Sequence, residues 1–114
     1  MRGIIWMGQS RADLAALPAQ VRNVFGYGLW QAQQGETPDG AIALPQFDTG
    51  VFELKESFAG DAYRSIFAVK LKKAVYVLHV FKKKSKSGRA LPREDANVIR
   101  QRLARARVID MENT

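Results

Sequence analysis

The stretch Val75-Tyr-Val-Leu-His-Val-Phe81 is apolar at every position but one. A strand that is apolar on both faces belongs at the centre of a sheet, because neither side can be left in water. This strand then runs straight into Lys82, Lys83, Lys84, Lys86 and Arg89, with the chain's only histidine, His79, just before them. Like charges repel, so five cations held at the end of a rigid element point to a polyanion as partner.

At 114 residues the chain is expected to form one domain, with residues 1–110 folded and 111–114 frayed. Cysteine is absent, which removes disulfides and thiolate metal sites, and a single histidine does not support a zinc site. No cofactor is expected. No run of about 18 apolar residues occurs, so the chain reads as cytoplasmic rather than membrane-bound. Its net charge of +7 is unevenly spread: residues 1–63 hold four Lys/Arg against seven Asp/Glu, and residues 64–114 hold fourteen against four. A basic half favours RNA, DNA or an acidic protein; the alternative is a solvated surface.

Ile4 to Met7 reads as a first strand. Ser10, three residues before Asp13, resembles a capping box and predicts a short helix from Arg11 to near Leu17. Pro18 suits the first turn of a second helix, whose face is Val21, Val24, Phe25, Gly28, Leu29 and Ala32, with Gly35 as terminator. Pro38, Gly40, Pro45 and Gly50 mark residues 36–50 as a loop. Strands then follow over Val51–Lys55, Tyr63–Leu71 and Val75–Phe81, joined tightly enough for an antiparallel meander. Pro92 opens a last helix with an apolar line of Ile99, Leu103 and Ala106 and with Arg100, Arg102, Arg105 and Arg107 near its other faces. The expected fold class is α+β: a small antiparallel sheet, an N-terminal helical hairpin on one face and a basic C-terminal helix.

Alternation places Phe52 and Leu54 on one side of their strand, and Glu53 and Lys55 on the other. Either Tyr63 or Arg64 shares the side of Lys55. Lys55, Arg64 and some of Lys82, Lys83 and Lys84 are therefore expected on one surface able to hold phosphates. That set permits RNA scission without a metal. Arg64 would stabilise charge on the phosphorane, and a lysine whose pKa is pulled down by neighbouring cations would act as base. His79 is either an acid or base or a packing residue. Each feature has a second reading: the lysines as a solvated loop, Arg64 as the cross-strand partner of Glu53, the aromatic residues Tyr63, Phe67, Tyr76 and Phe81 as core.

The ordered set Trp6, Asp13-Leu14, Leu17-Pro18, Val21-Arg22, Gly26-Tyr27-Gly28-Leu29, Gln34-Gly35, Gly50-Val51, Glu53-Leu54, Asp61, Tyr63-Arg64, Val75 to His79 with Phe81, Lys83 to Lys86, Gly88, Pro92 and Ile99-x-x-Arg102-Leu103 resembles the phage-related, HigB-like branch of the RelE/ParE toxin superfamily. The resemblance runs from about Trp6 to Arg107 and is most specific from Tyr76 to Lys86. It implies a RelE-like fold and the toxin of a type II toxin–antitoxin pair, an endoribonuclease that cuts messenger RNA at the ribosome and is held by an antitoxin, usually one with a helix-turn-helix domain. By motif the catalytic candidates are Arg64, Lys83, Lys84 and Lys55, with Lys82, Lys86, Arg89, His79 and Phe81 as RNA-binding candidates. Lys82 stands where glutamine is usual, and Leu91 where threonine is usual. Two other classes remain beside the nuclease: a ParE-like toxin that poisons gyrase, and a non-catalytic RNA-binding protein.

Overall fold

A computed structural model describes residues 1–83 and 91–112. Lys84, Lys86 and Arg89 lie outside the described residues. The elements are β1 (Gly3–Trp6), α1 (Ser10–Ala15), α2 (Ala19–Gln33), β2 (Ile42–Ala43), β3 (Val51–Phe58), β4 (Asp61–Ala68), β5 (Ala74–Lys82) and α3 (Arg93–Glu112). They build one five-stranded sheet in the order β1-β5-β4-β3-β2. The α+β class holds, and β5 is central as its composition requires. The sheet is mixed rather than wholly antiparallel, because β1 pairs parallel with β5 (Ile4 opposite Val75, Trp6 opposite Val77). The intervening helices supply the crossover that a parallel neighbour needs. The loop at 36–50 also contributes a short edge strand, β2, opposite Phe52 and Glu53.

The two faces of the sheet carry two separate cores. On one, Leu14 of α1 and Val21, Phe25, Leu29 and Ala32 of α2 pack on Leu54, Tyr63, Phe67, Val75, Val77 and Val80. On the other, Ile99, Leu103 and Ala106 of α3 pack on Val51, Ile66, Ala68, Tyr76 and Leu78. The C-terminal helix therefore covers much of the face that alternation assigned to Glu53 and Lys55. It runs to Glu112, so Met111 and Glu112 are helical where a frayed end was expected.

Several local expectations change. Ser10 does not cap α1: it is buried, and its hydroxyl donates to Val77 O of β5 at 3.2 Å, so it serves the sheet instead. Val24 does not complete the buried face of α2; it is exposed, along with Tyr27 and Trp30, whose rings stack at 5.7 Å on the outer side of the helix. Gly35, at φ +85, ends α2 as expected, and the N–H groups of Gly35 and Glu36 return to Ala32 O and Gln31 O. At the far end of α3 the buried Asp110 carboxylate accepts from Lys72 N, Lys73 N and Tyr76 Oη at 2.9, 3.1 and 3.0 Å, and so fastens the β4–β5 turn to the helix. Burial, then the neighbouring Asp110 carboxylate, pushes the Tyr76 phenol up to about 12.

Candidate functional site

The antiparallel ladders set Lys55 of β3 opposite Arg64 of β4, and Arg64 opposite Phe81 of β5. Residues directly opposite share a face, and neighbouring strands are about 4.8 Å apart. Lys55, Arg64 and Phe81 therefore form one row across three strands. The next row toward α3 is Glu53, Ile66 and His79.

Which lysine joins this face depends on an irregularity in β5. Ile66 is opposite His79 but Phe67 is opposite Val77, so Leu78 is an extra residue, a β-bulge. The bulge shifts the alternation by one. It brings Phe81, and with it Lys83, to the side of Arg64, and it sends Lys82 to the side of Tyr63. Lys83 N donates to Ala62 O at 2.8 Å, which continues the ladder one step beyond Lys82. Lys82 leaves the cation group accordingly and pairs with Asp61 at 3.0 Å on the other face. Without a bulge, strict alternation would have chosen Lys82.

The cations are not equivalent. Lys55 is exposed. The Lys83 ammonium is held below the usual lysine range, first by desolvation and then by the positive charges of Arg64 and Lys55. Arg64 is buried, its side chain only 3% exposed, and Nη1 donates to Glu53 Oε2 at 3.2 Å. The cross-strand pairing with Glu53 is thus real. It leaves Arg64 Nε buried without a hydrogen-bond partner, an uncommon state for a native polar group. Arg64, Glu53 and Lys55 line a cavity of about 610 Å³ with Leu44, Gln46 and Leu91.

His79 has both ring nitrogens engaged by α3. Arginine can only donate, so the 3.4 Å contact from Arg102 Nη1 makes Nδ1 the acceptor and leaves Nε2–H to donate to Asp95 Oδ1 at 2.8 Å. Arg102 Nη1 also donates to the carbonyl of the bulge residue Leu78 at 3.0 Å. The histidine ring stacks on Phe81 with centroids 4.5 Å apart and planes inclined by 19°. A ring held at both nitrogens has neither free to move a proton, so packing, not acid–base work, is the role this geometry supports. Tyr63, Phe67 and Tyr76 are core residues; Phe81 is half-buried.

Glu53, Asp95 and Arg102 are the site residues that sequence reasoning undervalued. Glu53 had a signal, since it alternates with the same face as Lys55. Arg102 stood in the Ile99-x-x-Arg102-Leu103 motif with no role attached, and Asp95 had no signal, because its partner lies on another element. Among the described residues no group of three or more His, Asp or Glu side chains could hold a metal ion, and no helix is long and apolar enough to cross a membrane.

No curated protein and no solved structure is matched by this sequence. The family described as "Phage derived protein Gp49-like (DUF891)" is matched over residues 12–104, a span that holds α2, every strand but β1, and the whole candidate site. The chain therefore belongs to this phage-derived Gp49-like family, a family of RelE-like, toxin-like proteins.

Proposed function

We propose that this protein is the toxin of a type II toxin–antitoxin pair in the HigB-like branch, and that it cleaves messenger RNA, at the ribosome, by attack of a ribose 2′-OH on the adjacent phosphorus. The observation that carries the proposal is the convergence of Lys55, Arg64 and Lys83 on one face, with the Lys83 ammonium destabilised by desolvation and by the other two cations. A lysine with a lowered pKa has a larger neutral fraction and can take a proton. Lys83 removes the 2′-OH proton; the 2′-oxygen–phosphorus bond forms as the phosphorus–5′-oxygen bond breaks. Lys55 returns a proton to the leaving 5′-oxygen. Arg64, buried in the same row and paired with Glu53, stabilises charge on the phosphorane through its field rather than by contact. The products are a 2′,3′-cyclic phosphate and a 5′-hydroxyl. A cognate antitoxin, expected to carry a helix-turn-helix domain, would cover this basic face.

The test is RNA incubated with purified protein, first naked and then on programmed ribosomes, with primer extension to map ends. Lys83→Ala should abolish new 5′ ends and relieve growth arrest while the domain stays folded. A single 2′-deoxy substitution at the cleaved nucleotide should block scission there. Intact transcripts accompanied by double-strand DNA breaks would instead establish the gyrase-directed reading. RNA binding without any cleavage, on or off the ribosome, would leave a non-catalytic RNA-binding protein.

A further inference from the structure

We infer that Phe81 is the floor of a subsite for one unstacked nucleobase of single-stranded RNA, adjoining the phosphate-binding row; this rests on the nuclease reading above. Phe81 is one strand over from Arg64 in the same row, about 5 Å away by the spacing of paired strands, so a nucleotide whose phosphate is held by the exposed Lys55 over the buried Arg64 brings its own base over Phe81. The Phe81 ring is backed at 4.5 Å by His79, which is itself fixed at both nitrogens by Asp95 and Arg102. A ring supported in this way needs no rearrangement to accept a stacked base, and stacking on an aromatic side chain is the ordinary means of holding unpaired bases.

Space for the base is present. β1 ends opposite Val77, so β5 beyond that point has no strand on that side. Along this free edge lies a cleft of about 390 Å³, between Asp13, Ala16 and Leu17 of α1 and its connection and Pro92, Glu94 and Asp95 at the start of α3, with His79, Val80, Phe81 and Lys82 in its wall. Asp13 and Glu94 repel a phosphate and accept hydrogen bonds from the amino edge of a base. Lys82 in the cleft wall is turned to Asp61 at 3.0 Å, so the row of Lys55, Arg64 and Lys83 takes the phosphate and the cleft takes the base. Paired bases in a duplex cannot enter, which makes single-stranded RNA the ligand class.

The experiment measures binding of the full-length protein to a single-stranded RNA decamer, and to decamers with one abasic nucleotide at each position in turn, over a series of salt concentrations. Wild type should lose about tenfold in affinity at one abasic position, a typical cost for a lost base–aromatic stack. Phe81→Leu should bind intact and abasic RNA alike with an unchanged salt slope, and Phe81→Trp should keep the abasic penalty. Indifference of the wild type to every abasic position, or a penalty that persists in Phe81→Leu, overturns the subsite. Lys55→Ala and Lys83→Ala test the phosphate row separately, since each should flatten the log–log salt slope by about 0.7. A flat abasic scan with flattened slopes overturns the base subsite alone. An intact abasic penalty with unchanged slopes supports the subsite and overturns the phosphate row.

Discussion

The Arg64–Glu53 pair can be separated into its structural and chemical parts by a short mutant series. Both side chains are buried, 3% and 6% exposed, and a single 3.2 Å contact joins them. Removing Glu53 alone leaves a buried guanidinium with no acidic partner and with Nε already unsatisfied. Breaking a buried pair from one side costs about 3–5 kcal/mol. Against the ~5–15 kcal/mol that stabilises a domain of this kind, the loss is a large share, and it should lower Tm by more than about 10 °C. Replacing both residues at once removes the stranded charge. The double variant Glu53→Leu/Arg64→Met should recover to within about 1 kcal/mol of wild type. Urea unfolding followed by circular dichroism measures both values, and primer extension on the same proteins measures cleavage. The expected combination is an unstable Glu53→Ala and a stable but inactive double variant. A Glu53→Ala protein as stable as wild type would refute the claim that Arg64 depends on Glu53. A double variant that still cleaves would remove Arg64 from the reaction.

Three further outcomes follow from the geometry. Removal of the Lys55 charge relieves the Lys83 ammonium of a repulsion, so Lys55→Gln should move the ascending, acidic limb of the pH–rate profile, which reports the base, to higher pH, read on whatever residual cleavage remains. The Asp110 carboxylate is held below its usual range, chiefly by the hydrogen bond from Lys72 N. Its folded pKa is therefore the lower one, and its stabilisation is present above the unfolded value and lost as pH falls through the folded value. Asp110→Asn should cost about 2 kcal/mol at neutral pH, and the gap to wild type should close in acid, as thermal melts across pH would record. Gly8 has φ +54, and a Cβ there would meet the Arg102 guanidinium at 2.6 Å. Gly8→Ala should cost about 1–3 kcal/mol and dislodge Arg102 from Leu78 O and His79, seen as a lower Tm and altered His79 ring resonances.

The fold was legible wherever one element's own pattern decided the outcome. The two-sided apolar run over Val75–Phe81 marks the central strand, and Ile99, Leu103 and Ala106 mark the buried line of α3. The alternation of Phe52, Glu53, Leu54 and Lys55 gives their faces correctly. What was not legible came from relations between elements. Parallel pairing of β1 with β5 leaves no trace in either strand alone. The bulge at Leu78 depends on the pairing with Ile66 and Phe67, and it reverses which lysine meets Arg64. Ser10 has the type and spacing of a cap, but a buried carbonyl of β5 competes for its hydroxyl. Val24 fits a helical face geometrically, yet it is left exposed beside Tyr27. The candidate site was visible as a set of cations in search of a surface; its burial pattern, and the clamp on His79, were not.

The parallel pairing of residues 3–6 with residues 74–77 also sets an order of assembly. Strand β1 emerges first during synthesis yet must wait for the fifth strand before it has a neighbour. Arg102 and Asp95 come later still, so His79 and the bulge gain their anchors only once α3 has been made. Nascent chains that stop short of α3 hold every strand of the cationic row but not the support beneath it. Under the nuclease reading proposed above, cleavage would in this way be withheld for most of the chain's own synthesis.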